Sequence, residues 1–192
     1  MDYAFERWIN SSAGHHPLID GVMVHIVAWG EYAFIVVVAL WLLQGVITAD
    51  SLELLGAVTA LLAAVVALSA NQAIAHIWYR PRPYVAHPNT VHLLLHHSPD
   101  ASFPSDHAAA SMAISFVLMN FHRYLGILLL LFALLMCYSR VYVGDHYPGD
   151  IFAGLIVGLV SALLLLFCFQ RVARYISGRL ETMLMKARAA LF

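Results

Sequence analysis

The sequence predicts an all-α integral membrane protein, a bundle of five transmembrane helices in one domain that covers residues 1–192. Of the 192 residues, 62% are apolar and only 11% are charged, whereas a soluble domain carries about 25% charged residues. A membrane-spanning helix needs about 20 mainly apolar residues. The five candidate segments are residues 21–45, 54–78, 105–121, 124–143 and 151–169.

Shorter helices are expected at both ends of the chain. Residues 3–9 predict an interfacial helix on the outer side of the membrane, with Trp8 near the level of the lipid headgroups. Beyond residue 169, apolar residues are set among basic ones, which is typical of an amphipathic helix on the anionic cytoplasmic leaflet. The first residues lack the basic start and the continuous apolar stretch of a cleaved signal peptide, so we expect the chain to remain whole.

Charge and cysteine content exclude other classes of protein. The formal net charge is −1, so no basic field predicts a nucleic-acid partner. Cys137 and Cys168, the two cysteines, both lie in apolar runs, which excludes a secreted disulfide scaffold. Membrane lipids are the partners that the composition indicates, and the sequence carries no signal for an oligomeric state.

The ten Lys and Arg residues predict the orientation in the membrane. Arg123 lies between the third and fourth segments, and the residues that follow the fifth segment are Arg171, Arg174, Arg179, Lys186 and Arg188. With five spans these two places lie on one side, which the positive-inside rule assigns to the cytoplasm. The outer side then carries Arg7, Arg80, Arg82 and Arg140.

Three polar segments fall at the outer ends of the predicted spans. The first, residues 80–83, reads Arg-Pro-Arg-Pro, and its prolines hold two guanidinium groups on a stiff, extended backbone. The second, residues 102–107, places Ser105 as the N-cap of the third span, where unpaired backbone amides attract an anion. The third, residues 139–150, bridges the fourth and fifth spans.

The third segment pairs a histidine with a carboxylate. If the fifth helix begins near His146, Asp150 lies one turn further along on the same face. A carboxylate in that place holds the imidazole tautomer and leaves the other ring nitrogen free for attack.

The charged groups of the three segments suit a phosphate. The arginines available to bind a multiply charged, oxygen-rich anion are Arg82, Arg140 and, as a further candidate, Arg80. Two histidines suit phosphoryl transfer without a metal, because one attacks phosphorus while the other protonates the leaving oxygen. The arginines then offset charge in the transition state, so no metal or other cofactor is expected.

The same segments follow a family pattern. In the third, Ser-Arg is followed after five residues by His and after three more by Asp, at Ser139, Arg140, His146 and Asp150. The second reads Pro-Ser-Asp-His at Pro104, Ser105, Asp106 and His107, and the first ends in Arg-Pro at Arg82 and Pro83. In these motifs the chain resembles the type 2 phosphatidic acid phosphatase superfamily of membrane lipid phosphatases. It is most similar to the bacitracin-resistance branch, the undecaprenyl-pyrophosphate phosphatases.

Two positions depart from the family pattern. The first motif normally has a Lys seven residues before its Arg, where this chain has Ala75. Arg80 and His76 are the candidates for that missing charge. The second motif normally has a Gly where this chain has Asp106.

The resemblance implies a role for each matched residue. His146 would be the nucleophile that becomes phosphohistidine, Asp150 its orienting partner, and His107 the general acid. The implied phosphate ligands are Arg82, Ser105 and Arg140. The resemblance also implies hydrolysis of undecaprenyl pyrophosphate to undecaprenyl phosphate, which recycles the cell-wall lipid carrier at the outer face of the bacterial cytoplasmic membrane.

Other interpretations remain open from the residues alone. Since a glycerolipid also presents a phosphate on an apolar anchor, a phosphatidylglycerophosphate or phosphatidate phosphatase is the alternative within the class. In a different class, a transporter or proton channel would use intramembrane Glu31 and histidines as a relay. The long loop carries His87, His92, His96 and His97, whose spacing matches no zinc pattern, so we interpret them as solvated. The apolar residues 91–95 of that loop could instead guide a lipid tail.

Glu31 is the acidic residue well inside a predicted span. At ~1.5 Å per residue it lies roughly 15 Å from the start of the first helix, near the middle of the bilayer. Asn71 and Gln72 of the second span are the nearest polar residues by depth. We expect Glu31 to join the two helices through this amide pair and to support the pocket floor. The alternative is a protonated Glu31 bonded to a backbone carbonyl.

Overall fold

The computed structural model describes residues 1–96 and 99–189, with side chains through residue 171. Within these ranges every regular element is a helix. The helices are α1 (Asp2–Asn10), α2 (Pro17–Ile47), α3 (Ser51–Ile77), α4 (Pro83–Ala86), α5 (Asp106–Phe121), α6 (Arg123–Tyr142) and α7 (Pro148–Ala189). The predicted all-α class is therefore confirmed.

Four helices of the described chain, α2, α3, α6 and α7, are long and apolar enough to cross a membrane. The third predicted span corresponds to α5, which has 16 residues. At 1.5 Å per residue α5 is about 24 Å long, shorter than the roughly 30 Å hydrocarbon core. Although it is short, α5 lies at the centre of the bundle, where it packs against α3, α6 and α7.

Small residues let α5 approach its neighbours closely. A Cβ built on Gly158 of α7 would lie 2.2 Å from the carbonyl oxygen of Ala109, and one on Gly154 would lie 2.4 Å from that of Ser105. Both distances are shorter than real Cβ contacts, so these positions require glycine. On the other side, α3 contributes the fully buried Ala57, Ala60, Ala63 and Ala67. The start of α5 is thereby held beside the start of α7, where the Ser105 N–H donates to the Asp150 carbonyl at 3.1 Å.

The N-terminal helix is held to the bundle by side-chain hydrogen bonds, whereas the C-terminal residues continue the last helix of the bundle. Helix α1 corresponds to the expected helix over residues 3–9, and the Asn10 side chain fastens it by donating to the carbonyls of Tyr142 at 2.8 Å and His92 at 2.9 Å. The fifth predicted span is the first part of α7, which runs on as one helix to Ala189. The expected amphipathic character after residue 169 falls almost wholly outside the residues whose side chains are described.

The topology gathers the polar segments at one end of the bundle. Helix α3 ends there, helices α5 and α7 begin there, and α6 ends there. Two short connections, residues 78–82 and 143–147, and the longer connection over residues 87–105 therefore meet beside the start of α5. The three motifs, which are far apart in the sequence, come together in this place.

Candidate active site

His146 lies in the connection between α6 and α7, and its side chain is only 2% exposed. Gly144 turns this connection with a φ of +82°, a conformation that glycine adopts without steric cost. The His146 Nδ1–H donates to the carbonyl oxygen of Ser102 at 2.9 Å. Because a carbonyl only accepts, this bond places a proton on Nδ1, so in the neutral imidazole the lone pair is on Nε2. Arg82 Nη1 lies 3.2 Å from Nε2 and can donate to that lone pair.

Asp150 lies beside His146 but does not make the expected direct hydrogen bond. Its Oδ2 is 3.7 Å from His146 Nδ1. Helix α7 begins at Pro148 rather than at His146, so the Asp150 carboxylate sits in the first turn and accepts from the Tyr147 N–H at 2.9 Å. Ser102 Oγ donates to the same Oδ2 at 2.5 Å. Asp150 therefore holds Ser102, and the Ser102 carbonyl orients the histidine.

Arg80 binds the Asp150 carboxylate through the oxygen that Ser102 does not use. Its Nη1 donates to Asp150 Oδ1 at 2.7 Å and its Nη2 to Asp2 Oδ2 at 2.7 Å, while its guanidinium lies 3.8 Å from the ring centre of Tyr147. Two carboxylates and an aromatic face thus engage the charge. Arg80 is thus already bound by two carboxylates, and the phosphate contact expected of it stays a prediction.

Arg82 and Arg140 are buried on either side of one carboxylate. Arg82 Nη1 donates to Asp145 Oδ1, and Arg140 Nη1 donates to Asp145 Oδ2 at 2.8 Å. Arg82 Nε also donates to Asp100 at 2.7 Å. Burial alone lowers the pKa of Arg82, but Asp145 and Asp100 outweigh that effect, and the net pKa is raised above its ordinary value. Arg82 therefore stays charged.

Two buried polar atoms of this cluster have no hydrogen-bond partner. Ser105 occupies the N-cap position of α5, as predicted, but its hydroxyl makes no cap bond and Oγ is left unpaired. Arg140 Nε is also unpaired. A buried donor without a partner is costly, and both residues belong to the predicted phosphate ligands.

His107 is the second residue of α5, and its Nε2 lies 2.9 Å from Glu31 Oε2. The expected pairing of Glu31 with the amides of α3 is wrong. Asn71 and Gln72 instead donate to the two oxygens of Asp106, at 2.9 and 3.0 Å. The register between α2 and α5 places the Glu31 carboxylate nearer to the imidazole, and Asp106 takes the amides.

Two cavities meet at His107 and Asp106. The polar cavity has a volume of about 120 Å³, and its lining includes Arg82, Asp100, His107 and His146. The apolar groove has a volume of about 330 Å³ and runs between α2, α3 and α5; its lining includes Glu31, Phe34, Leu61, Val65, His107 and Ile114. A polar cavity and an apolar groove therefore share His107 and Asp106 in their linings.

The histidine-rich loop is engaged in other contacts. His87 stacks on Tyr3 with ring centres 3.8 Å apart, and His92 lies edge-on to His15 at 6.1 Å. His97 lies outside the described residues. Within the described part of the chain, no three His, Cys, Asp or Glu side chains are grouped as metal ligands.

Four residues of the site, Ser102, Asp145, Asp100 and Asp2, were not assigned by sequence reasoning. Ser102 and Asp145 lie inside the second and third motif segments, and Asp145 directly precedes His146, which is the signal that could have drawn attention to it. Asp2 carries no such signal. Its contacts with Arg80 and with the Gly149 N–H, at 2.7 and 2.8 Å, join the N-terminal helix α1 to the connection after α3 and to the start of α7.

Comparisons with known proteins agree with the motifs. Residues 53–174 match the model of the PAP2 superfamily. Undecaprenyl-diphosphatase BcrC of Bacillus subtilis is 34% identical over 165 residues, which covers 85% of this chain and 82% of that protein. A protein of Bacillus licheniformis named bacitracin transport permease protein BcrC is 31% identical over 157 residues, covering 82% and 75%. The crystal structure of Aquifex aeolicus LpxE has a TM-score of 0.69 at 26% identity, covering 85% of this chain and 93% of that one.

Together the helices, the motifs and these relatives define a multi-pass membrane lipid phosphatase. The chain belongs to the PAP2 superfamily. The family resemblance drawn from the three motifs is thereby confirmed.

Proposed function

We propose that this phosphatase hydrolyses undecaprenyl pyrophosphate to undecaprenyl phosphate and inorganic phosphate. The observation that carries the proposal is the polar cavity, in which His146, His107 and Arg82 meet beside an apolar groove. Such a site takes a phosphate on an apolar anchor. The name of the Bacillus subtilis relative supports the choice of a polyprenyl chain.

The nucleophile in this proposal is Nε2 of His146. Its lone pair attacks the terminal phosphorus, a phosphohistidine N–P bond forms, and the P–O bond to the leaving lipid phosphate breaks. His107 gives a proton to the leaving oxygen and later takes one from the water that hydrolyses the N–P bond. The Nδ1–H bond to the Ser102 carbonyl supports this assignment, because in the neutral imidazole it leaves the lone pair on Nε2.

Arg82, Arg140 and Ser105 are the proposed phosphate ligands. The unpaired Ser105 Oγ and Arg140 Nε are donors that phosphate oxygens would satisfy. Preorganised guanidinium groups stabilise charge that develops in the transition state, and we propose that they act here without a metal ion or cofactor. Arg80 supports Asp150 from behind, while Asn71 holds Asp106 at the mouth of the apolar groove.

The enzyme is proposed to face the outside of the bacterial cytoplasmic membrane. Arg123, at the start of α6, lies at the end of that helix opposite to the site, as the positive-inside rule requires of a cytoplasmic end. This topology requires α5 to cross the membrane as the third of five spans. Its short length is compensated by its packing among α3, α6 and α7. Undecaprenyl pyrophosphate would then be dephosphorylated on the outer leaflet, as carrier recycling requires.

A purified-enzyme assay tests the proposal. In detergent, the wild-type enzyme should release phosphate faster from undecaprenyl pyrophosphate than from phosphatidylglycerophosphate or phosphatidate, and chelation with EDTA should leave the rate unchanged. His146→Ala should lower turnover at least about a thousandfold, because no other described group replaces Nε2. His107→Ala should still form some phosphoenzyme, which acid-quenched labelling detects.

His122→Ala is the matched control. His122 also pairs with a glutamate, at 2.8 Å from Glu53, but at the opposite end of the bundle. This variant should keep its turnover. Preference for a glycerolipid would identify the alternative substrate class, and a well-folded protein without any phosphate release would favour the transporter interpretation.

A further inference from the structure

Asp145 has an unusual position for a carboxylate in a site that binds phosphate. Its side chain is about 1% exposed, and its two oxygens accept from Arg82 and from Arg140. Its Oδ2 also lies 3.7 Å from His146 Nε2. One carboxylate therefore lies between both proposed phosphate-binding arginines and next to the atom proposed to attack phosphorus.

A phosphate in contact with His146 Nε2 and both arginines would need the same place. Two anions cannot share it, because like charges at contact distance in a buried site repel strongly. A carboxylate has two acceptor oxygens, whereas a terminal phosphate group has three, so a phosphate can accept hydrogen bonds from more donors of this cluster. The unpaired Ser105 Oγ and Arg140 Nε show that Asp145 leaves donors of this cluster unused.

We propose that Asp145 is an internal substitute for phosphate, which neutralises Arg82 and Arg140 until substrate binds and is then displaced. This inference rests on the proposed function of the site. Two buried guanidinium groups without an anion would be costly, so Asp145 stabilises the phosphate-free enzyme. The same carboxylate competes with the product, so it weakens the binding of inorganic phosphate and favours its release after each turnover.

The competing interpretation assigns Asp145 a purely positioning role. In that case the carboxylate would stay in place during the reaction and keep both arginines in the orientation that phosphate needs. The two interpretations predict opposite changes when the charge is removed. Loss of a competitor strengthens phosphate binding, whereas loss of a positioning group weakens it.

The test measures inhibition constants of Asp145→Asn for inorganic phosphate and orthovanadate, with wild-type enzyme alongside. If Asp145 competes with phosphate, both inhibition constants should fall about tenfold. In wild-type enzyme only the fraction of molecules in which Asp145 has left the arginines can bind phosphate, and the substitution makes all molecules competent to bind it. The KM for the lipid substrate should fall in the same direction. Unchanged or increased inhibition constants would overturn the proposal.

Asp100→Asn is the matched control for charge. Asp100 also binds Arg82, at 2.7 Å, but its side chain is 60% exposed and it does not contact Arg140. Removing it changes the local charge by the same amount without clearing the place between the arginines. A fall in the inhibition constants of less than about threefold is expected. An equal fall in both variants would mean that general electrostatics, rather than displacement, explains the result.

Thermal unfolding provides a second measurement that does not depend on turnover. Asp145→Asn should unfold at a lower temperature than wild type in phosphate-free buffer, and inorganic phosphate should stabilise it more than it stabilises wild type. Recovery of folded Asp145→Asn only from phosphate-containing buffer would also support the proposal, because phosphate would then replace the missing carboxylate. Equal stabilisation of both proteins by phosphate would contradict the proposal. Failure of the proposed function is distinguishable, because it is measured on wild-type enzyme, which would then prefer a glycerolipid phosphate or release no phosphate from any lipid.

Discussion

At the scale of single residues, the tautomer of the neutral His146 ring depends on one backbone carbonyl. The Ser102 oxygen accepts from Nδ1, and Ser102 is in turn held by Asp150 through its hydroxyl group. Arg80 and the Tyr147 N–H hold the Asp150 carboxylate. The orientation of the proposed nucleophile therefore depends on a chain of hydrogen bonds behind the ring, and only the last member of that chain touches the imidazole.

Glu31 gives the first prediction at this scale. Its carboxylate lies 2.9 Å from His107 Nε2, so we expect it to position the proposed general acid. Glu31→Leu removes the acceptor and should lower kcat by about 10- to 100-fold with little change in KM. This is less than the roughly 10²- to 10⁴-fold that general acid–base catalysis contributes, because His107 itself remains. Glu31→Gln keeps an acceptor oxygen and should retain most of the activity.

Glu53→Leu is the control for the loss of a His–Glu pair as such. Glu53 binds His122 far from the site, so its loss should lower the melting temperature without a selective effect on kcat. If Glu31→Gln abolished turnover in a folded protein, Glu31 would have a proton-transfer role beyond positioning.

At the scale of elements, α1 is part of the site rather than a separate anchor. Asp2 shares Arg80 with Asp150, and Asn10 binds the backbone at the end of α6. Between them Glu6 is fully buried, and neither carboxylate oxygen has a hydrogen-bond partner. Burial, together with the charge of Asp2, raises the pKa of Glu6 from 4.5 to about 7.

This pKa shift predicts how stability depends on pH. Since the pKa of Glu6 is higher in the folded protein than in the unfolded one, the folded protein binds more protons between about pH 4.5 and 7. The contribution of Glu6 to stability is therefore largest at low pH and is lost as the pH rises through 7. Glu6→Gln should raise the melting temperature by a few degrees at pH 8 and have little effect at pH 5. A difference between the two proteins that did not change with pH would contradict this assignment.

At the scale of the whole molecule, the site is polar at one end of an apolar bundle, and the apolar groove leads from it along α2, α3 and α5. Three of the arginines at this end, Arg80, Arg82 and Arg140, are bound by carboxylates. The charges of these three arginines are thus compensated within the protein. The basic residues beyond residue 169 lie after the last predicted span, at the other end of the bundle. This distribution agrees with an outer site and a cytoplasmic C-terminus.

Reporter fusions test this topology. Green fluorescent protein attached after residue 192 should fluoresce, while alkaline phosphatase attached there should be inactive, because the C-terminus is predicted to be cytoplasmic. Alkaline phosphatase attached after His96, in the long connection at the site end, should be active. The reverse pattern would place the site inside the cell and exclude carrier recycling on the outer leaflet.

Local patterns were sufficient for much of this protein. Apolar segments of about 20 residues predicted the long helices, since a bilayer imposes that length wherever the segment lies in the chain. The spacing of Arg140, His146 and Asp150 indicated the phosphatase family, which the family model confirms. These conclusions depend on composition and on short spacings along the chain.

The partners of the charged groups were decided only by the tertiary structure. Glu31 binds His107 instead of Asn71, Arg80 binds Asp2 and Asp150, and Asp145 binds both Arg82 and Arg140. Most of these bonds join residues from different helices and connections, so they depend on the register in which α2, α3, α5 and α7 pack. That register is set by close contacts such as those of Gly154 and Gly158 with the backbone of α5, and no local pattern specifies it. The sequence by itself therefore determined the class of protein and predicted its candidate reactive residues, and packing decided which carboxylate meets which cation.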